Sequence, residues 1–308
     1  MKQERQVGAP VCYRHPDRET YVQCTRCGRP ICPDCMREAA VGFHCPECVA
    51  EGRRGTRVAR TAFGGSQAGV HGYVTYALIG LNAAVALLTL LIAGASGGGM
   101  FGGITPLHVE GAIVGLAGGA DGAPTGVATG EYWRLFTSMF LHFGILHLLV
   151  NMWALWLLGR YLERALGPLR YLALYLVSGL GGGVAVYLLT APNQFTAGAS
   201  GAIFGLFAAL FVVNRKLGLD NSGVAILILI NLSLGFFVPN ISLTGHIGGL
   251  VTGGVLAFGI AYAPKKHRTL VQVATVAAVL VVLVILAISH TEMLMSGSTS
   301  TAVAALRG

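Results

Sequence analysis

The chain has 308 residues, of which 54% are hydrophobic and only 11% are charged. Soluble domains carry about 25% charged residues, so the composition excludes an ordinary soluble protein and indicates a membrane protein. The formal net charge of +8 does not predict a nucleic-acid partner, because the basic residues form short clusters between apolar segments, where the positive-inside rule places them.

The cysteines and the charged residues predict a division of the chain. All seven cysteines lie between Cys12 and Cys48, in a charged N-terminal part without the apolar core of a signal peptide. We predict a cytoplasmic zinc-binding head at residues 1–52, a basic linker at 53–72, a transmembrane domain at 73–290 and a C-terminal tail at 291–308. A reducing cytoplasm favours metal binding over disulfides.

The head contains eight potential metal ligands in four pairs, each pair separated by two residues. The pairs are Cys12 and His15, Cys24 and Cys27, Cys32 and Cys35, and Cys45 and Cys48. This spacing lets both side chains of a pair reach one ion, and four thiolate or imidazole ligands complete one tetrahedral zinc site. Eight ligands therefore predict two structural zinc ions, with free or disulfide-bonded cysteines as the alternative.

The four-pair pattern resembles a B-box-like cross-braced zinc finger. The resemblance implies that the first and third pairs share one zinc ion and that the second and fourth pairs share the other. The chain departs from that family by ending in Cys45 and Cys48, where B-boxes usually have histidines, so His44 is either a spare or a substitute ligand. Closed zinc sites do not catalyse, so we expect an interaction or regulatory module, for which a protein partner is one candidate ligand.

Seven apolar segments predict seven membrane spans. They are residues 73–93, 136–158, 171–189, 199–213, 224–238, 241–262 and 270–288. A span needs about 20 apolar residues, and the fourth and fifth segments are short. Basic clusters precede the first span and follow the second, fourth and sixth, which predicts a cytoplasmic N-terminus and a C-terminus on the outer side of the cell membrane. The glycine-rich residues 95–131 are expected outside, either partly inserted or flexible.

Polar side chains inside membrane spans are costly, so each is a candidate functional residue. They are His142, His147 and Asn151 in the second span, Ser200 in the fourth, Asn231 in the fifth and His246 in the sixth. In the predicted topology all of them except Asn231 lie in the outer halves of their spans. Glycines four residues apart follow Ser200 and flank His246, and such stripes let helices approach closely. We therefore expect Ser200 and His246 to lie close together.

These residue types are the parts of an acyl-transfer site. A serine hydroxyl becomes a nucleophile when a base takes its proton, and His246 could serve as that base. Free N–H groups at the start of the fourth span, with Asn151 or His147, could stabilise an oxyanion. Taken singly, each residue also has a structural explanation as a packing serine, a core histidine or a polar contact between helices.

Four motifs resemble those of the rhomboid family of intramembrane serine proteases, in order and spacing, over about residues 73–263. They are Glu131-Tyr132-Trp133-Arg134, His142-x4-His147-x3-Asn151, Gly198-Ala199-Ser200-Gly201 and Gly245-His246-x2-Gly249. The resemblance implies an all-α, polytopic bundle with a six-helix core, to which residues 270–288 add a seventh helix.

The resemblance also implies roles. Ser200 would be the nucleophile and His246 the general base, with no metal needed for catalysis. His147, Asn151 and the Ser200 amide would form the oxyanion hole. Supporting roles are implied for Gly198, which would shape the turn, for His142, near the water-filled mouth, for Phe204, packed against the His246 ring, and for Trp133 and Arg134, which would brace the first loop.

The sequence thus predicts an intramembrane serine endopeptidase that cuts in or next to transmembrane segments of other membrane proteins, with its active site opening to the outer side. One alternative is a non-catalytic rhomboid-like protein that binds membrane helices or acts in their quality control. A solute transporter is a second alternative, which predicts polar residues along a path through the bilayer and an internal repeat. The polar candidates cluster in the outer half instead.

Overall fold

The computed structural model of the protein describes residues 8–55, 60–67, 71–93, 103–119, 122–237 and 241–305. Contacts divide the chain into two compact units, Met1–Ala59 and Arg60–Gly308. The predicted basic linker falls partly in each unit, and its residues 56–59 and 68–70 lie outside the described ones, as do residues 94–102 and 120–121 of the glycine-rich stretch.

The first unit is small and has little regular structure. A 3-10 turn at Pro33–Cys35 precedes a two-stranded antiparallel sheet of β1, Arg37–Glu38, and β2, Phe43–His44, and then α1, Pro46–Gly55. Its buried core consists of six cysteines and Ile31. So small an apolar core requires another source of stability, as expected for a metal-dependent fold.

The second unit is a helical bundle, as predicted. Its helices are α2, Tyr73–Ala93; α3, Pro106–Gly111; α4, Arg134–Thr137; α5, Ile145–Leu166; α6, Pro168–Leu189; α7, Ser200–Leu217; α8, Ser222–Phe237; α9, Leu243–Ala261; and α10, Arg268–Ala305. A hairpin of β3, Ala117–Gly118, and β4, Pro124–Thr125, lies in the loop between α2 and α4. Six of these helices, α2, α5, α6, α7, α9 and α10, are long and apolar enough to cross a membrane.

Helix α8 is apolar but has only 16 residues. At 1.5 Å per residue it is about 24 Å long, which is less than the hydrocarbon thickness of about 30 Å. Helix length therefore supports six of the seven predicted spans. That α8 also crosses the membrane stays a prediction.

The predicted start of the second span at residue 136 is wrong. Short α4 and a 3-10 turn at Ser138–Phe140 come first, and the helix begins only at Ile145. Gly144 interrupts the apolar run because its backbone has φ 87°, a conformation that residues with a Cβ rarely adopt. His142 therefore lies in the loop before α5 and not in a span.

Helix α10 continues through most of the predicted tail at 291–308, as far as Ala305. Residues 291–305 contain no proline and one glycine, so no strong helix breaker ends the helix at the apolar boundary.

The predicted glycine stripes of α7 and α9 do meet. A Cβ added to Gly249 would lie 1.9 Å from the Gly201 carbonyl oxygen, and one added to Gly253 would lie 2.3 Å from Gly205 Cα. A third helix joins them, since a Cβ on Gly182 of α6 would lie 2.8 Å from Gly245 O. Small residues allow this close approach of backbones, which is how helices associate in lipid.

Candidate active site and metal sites

The glycine contacts set the relative height of Ser200 and His246. Gly201 contacts Gly249, and Gly205 contacts Gly253, so α7 and α9 run in the same direction. A Cβ on Gly201 would also lie 3.3 Å from Gly245 O. The first turns of the two helices are therefore neighbours, and Ser200 and His246 lie at the same end of the bundle.

The ring of His246 lies on the face of α7 that carries Ser200. Phe204 follows Ser200 by four residues and so shares its helix face, and its ring stacks on His246 with centroids 4.0 Å apart and an interplanar angle of 17°. His246 is buried, and its Nδ1 has no partner within the described structure. No hydrogen bond between Ser200 and His246 occurs among the described residues. Such bonds commonly tighten only when substrate binds.

Gly198 brings His147 to the serine. Its backbone has φ 142°, and its N–H donates to Ser138 O at 2.9 Å. A Cβ at this position would lie 2.9 Å from His147 Nε2 and 3.7 Å from Ser200 Oγ. Only glycine leaves room for the imidazole here, so the structure brings His147, Gly198 and Ser200 together, and their catalytic roles stay predictions.

Asn151 is buried one helical turn after His147. Its Nδ2 donates to the His147 carbonyl oxygen at 3.0 Å. An amide nitrogen carries two protons, so a second proton remains for another acceptor.

His142 lies beside His147, with ring centroids 5.1 Å apart. Both of its ring nitrogens are buried without a partner in the described part of the chain. A cavity of about 20 Å³ adjoins His142, Thr89 and Leu148, which is enough for about one water molecule.

His108 is a buried residue of this region that the sequence analysis missed. Thr105 N–H donates to its Nδ1 at 3.3 Å, so the ring proton is on Nε2, which donates to His142 O at 3.2 Å. Its ring stacks on Phe143 at 4.7 Å, and burial lowers the pKa of His108. His108 thus fixes the loop that carries His142. Thr105 followed by Pro106 is a helix-start pattern that could have marked the short helix α3.

Arg134 organises the first loop. The side chain is 1% exposed, and its Nη1 donates to Val109 O at 2.6 Å and to Ala112 O at 3.1 Å. Its Nε donates to Glu131 at 2.5 Å. Trp133 Nε1 donates to Glu110 O at 3.3 Å, so both residues hold the loop in place, as the resemblance implies.

The eight ligands of the head form two groups in the predicted pairing. One group is Cys12, His15, Cys32 and Cys35, and the other is Cys24, Cys27, Cys45 and Cys48. Within each group the ligand atoms all lie within 4.8 Å of one another. His44 belongs to neither group among the described residues, so it is not needed as a substitute ligand.

The spacing of the ligand atoms fits tetrahedral zinc. Zinc–sulfur bonds of about 2.3 Å place two sulfur ligands about 3.8 Å apart, and Cys27 Sγ lies 3.8 Å from Cys45 Sγ. In the other group, His15 Nδ1 lies 3.2 Å from Cys32 Sγ and 3.4 Å from Cys35 Sγ, close to the about 3.6 Å that the same geometry requires for a nitrogen and a sulfur.

The guanidinium group of Arg29 lies beside Cys27, one of the candidate metal ligands. Arg29 Nε donates to Cys27 Sγ at 3.3 Å, and this hydrogen bond is the largest of several contacts that together lower the pKa of the exposed Cys27 thiol to about 6. The thiolate is the form that binds metal, so Arg29 favours ligation by Cys27.

Comparison with known proteins connects the bundle to one family. The family model described as Rhomboid domain matches residues 129–263, which include Ser200, His246 and the oxyanion candidates but not the head. The chain is 46% identical over 144 residues to Rhomboid protease GluP of Bacillus subtilis. It is 41% identical over 138 residues to Putative rhomboid protease YdcA of the same organism, and 37% identical over 147 residues to RHOMBOID-like protein 5 of Arabidopsis thaliana.

These alignments cover only part of each protein. They include 45%, 43% and 45% of this chain, and 28%, 69% and 47% of the respective relatives. Of the three, only YdcA is matched over more than two thirds of its length.

Proposed function

The chain belongs to the rhomboid family of integral membrane proteins, and on that premise we propose that it is an intramembrane serine endopeptidase. Its substrates would be membrane proteins, cut in or next to a transmembrane segment. The observation that carries the proposal is the stacking of the His246 ring on Phe204, which lies one helical turn after Ser200. The close glycine contacts of α7 and α9 bring these residues together.

Peptide cleavage would proceed through an acyl-enzyme. Ser200 Oγ attacks the carbonyl carbon while His246 accepts the hydroxyl proton. His246 then gives this proton to the leaving amine as the peptide bond breaks. In the second half, His246 takes a proton from water, the resulting hydroxide attacks the acyl carbon, and Ser200 regains its proton as the carboxylic acid leaves.

The oxyanion formed in each half would accept hydrogen bonds from three donors. These are the Ser200 backbone N–H, the His147 ring and the second Nδ2 proton of Asn151. Within the described structure no carboxylate bonds to His246, so stacking on Phe204 takes over the orienting role that an aspartate has in a catalytic triad.

Charge distribution supports an orientation for this site. Ser200 and His246 lie near the starts of α7 and α9, whereas Arg215 and Lys216 lie near the end of α7, and Lys265 follows the end of α9. The positive-inside rule puts the basic ends in the cytoplasm and opens the active site to the outer side. With α8 also crossing, the N-terminus is cytoplasmic and the C-terminus lies outside.

The head, residues 1–52, would be a cytoplasmic module with two structural zinc ions. Its four-ligand groups leave no open coordination position, so zinc has no part in peptide cleavage. We assign it the binding of a protein partner or the regulation of the protease domain, residues 73–290.

Cleavage of a reporter with a helix-weakened transmembrane segment by the full chain in detergent tests the proposal. Replacement of Ser200 or His246 by alanine should lower the rate at least about a thousand-fold, since loss of either member of such a pair removes covalent catalysis. Ser233→Ala, on the exposed face of α8, should cleave normally. Unchanged cleavage by Ser200→Ala would refute the assignment. Binding of the reporter without cleavage by any variant would favour the non-catalytic alternative.

A further inference from the structure

The end of the bundle opposite Ser200 carries a turn at residues 60–66, here called the Arg60 turn. Thr61 N–H donates to Gly65 O at 2.9 Å, and Gly64 N–H donates to Thr61 O at 2.9 Å. A Cβ on Gly65 would lie 1.9 Å from Leu166 O, so the turn is packed directly on the last residue of α5.

Three arginines converge on Gly64 of this turn. Arg60 Nη1 donates to Gly64 O at 3.2 Å. A Cβ at Gly64 would lie 3.2 Å from Arg268 Nη1 and 3.6 Å from Arg170 Nη2. The guanidinium groups come from the segment before α2, the first turn of α6 and the first residue of α10, three parts of the chain that only the fold brings together.

A hydrogen bond to a buried amide fixes the position of Arg170. Its Nε donates to Gln272 Oε1 at 2.7 Å. Gln272 is 5% exposed and donates in turn to Phe63 O and Ile260 O. This buried amide holds Arg170 toward Gly64, although Arg60 and Arg268 repel it electrostatically.

Among the described residues, no carboxylate pairs with these arginines. Arg60, Arg170 and Arg268 take part in none of the ion pairs found within the described ranges. The carboxylate of Glu163, in the same part of the bundle, accepts from Val74 N–H and Thr75 N–H instead. Three adjacent positive charges without a partner cost free energy, and a bound anion would offset that cost.

We propose that Arg60, Arg170 and Arg268 bind the phosphate group of an anionic lipid. Guanidinium groups match phosphate oxygens in pairs of parallel hydrogen bonds. Because the three residues lie where α5 ends and α6 and α10 begin, they are at the level of lipid headgroups, and anionic lipids attract basic residues there. A phosphate at this point would connect the start of α10 to the start of α6 through Arg268 and Arg170.

The test uses the full chain in detergent with three added probes: phosphatidylglycerol, phosphatidylcholine and inorganic phosphate. Retained lipid is measured by native mass spectrometry, and the midpoint of thermal unfolding is measured in parallel. Phosphatidylglycerol should be retained and should raise the midpoint, whereas phosphatidylcholine should do neither. Arg268→Gln should weaken retention about tenfold, the effect of losing a charge-assisted hydrogen bond, and Arg268→Lys should keep part of it.

Arg164→Gln is the matched control, because it removes an equal charge from an exposed residue of α5 that has no ion pair in the described structure. Equal weakening by Arg164→Gln and Arg268→Gln would overturn the proposal in favour of diffuse surface charge, as would the absence of retained phosphatidylglycerol in the wild type. If inorganic phosphate raises the midpoint as much as the lipid does and depends on Arg268, the phosphate site is supported and its source is the free ion.

Discussion

The interiors of the two units of this protein are stabilised in different ways. The first unit buries six cysteines around Ile31, so almost its entire interior is made of potential metal ligands. The bundle buries backbone against backbone, with Gly249 on Gly201 and Gly253 on Gly205. A metal-bound fold concentrates its stability in a few covalent-like bonds, whereas a membrane bundle distributes it over many van der Waals contacts of small residues.

This difference determines which changes each unit tolerates. On the proposal that the first unit holds two zinc ions, loss of one ion would remove a large share of its folding free energy at once. In the bundle the sensitive positions are those where an added Cβ has the least space, and several of them, such as Gly205, Gly249 and Gly253, lie on the helix pair that carries Ser200 and His246.

Zinc removal should have the largest effect. A strong chelator should unfold the first unit and leave the bundle folded, because structural zinc contributes about 10–16 kcal/mol of apparent folding free energy. Hydrogen exchange of the full chain should become fast over residues 8–55 and stay slow in α6, α7 and α9. Native mass spectrometry should find two zinc ions per chain beforehand. Continued protection of residues 8–55 after chelation would show that metal does not hold this unit.

Of the two bundle substitutions predicted here, Gly249→Ala should have the larger effect. Its Cβ would meet Gly201 O at 1.9 Å, so α7 and α9 must separate, at a cost of about 1–3 kcal/mol. The thermal unfolding midpoint and the reporter cleavage rate should both fall. Gly254→Ala is the matched control on the same helix, because its nearest neighbour would be 3.8 Å away. Equal effects of the two substitutions would argue against the close-approach explanation.

A smaller loss of thermal stability is expected from a substitution where α10 contacts the first loop. Thr291 Oγ1 accepts from Tyr132 OH at 3.1 Å and bonds Tyr187 OH at 2.8 Å. Thr291→Val removes both hydrogen bonds and a third, which Thr291 Oγ1 donates to Ala287 O at 3.0 Å; each contributes about 1 kcal/mol. The unfolding midpoint should fall by a few degrees, whereas Thr269→Val, on the exposed first turn of α10, should leave it unchanged. An unchanged midpoint in Thr291→Val would mean that this contact does not stabilise the bundle.

The smallest expected effect is a shift in the pH at which the first unit releases zinc. Arg29 lowers the pKa of Cys27, so Arg29→Ala should raise that pKa. Protons then compete better with zinc for the thiolate, and zinc should be released at a higher pH during acidification. A zinc-sensitive dye can follow the release, with Arg53→Ala as the control. A release curve at lower pH in Arg29→Ala would contradict the role of Arg29.

Local patterns in the sequence predicted much of this structure. Spacing identified the eight candidate metal ligands of the head, and the B-box resemblance implied their grouping into the two sets that the structure forms. Helical periodicity and glycine stripes anticipated the meeting of α7 and α9 and the common height of Ser200 and His246. Each of these inferences depends on residues a few positions apart.

The errors came from features that local patterns do not contain. Hydrophobicity alone could not indicate that Gly144 would break the apolar run at its positive φ. His108 became visible only through its contact with the His142 carbonyl, 34 residues away in sequence. The convergence of Arg60, Arg170 and Arg268 likewise depends on the packing of distant segments.

The pairing of Ser200 with His246 is tested by reaction of the purified full chain with a fluorophosphonate probe, followed by mass spectrometric mapping of the adduct. We expect one modified serine, Ser200, with labelling greatly reduced in His246→Ala, because the hydroxyl is reactive only when His246 takes its proton. An adduct on a different serine, or undiminished labelling of Ser200 in His246→Ala, would contradict the Ser200–His246 pair.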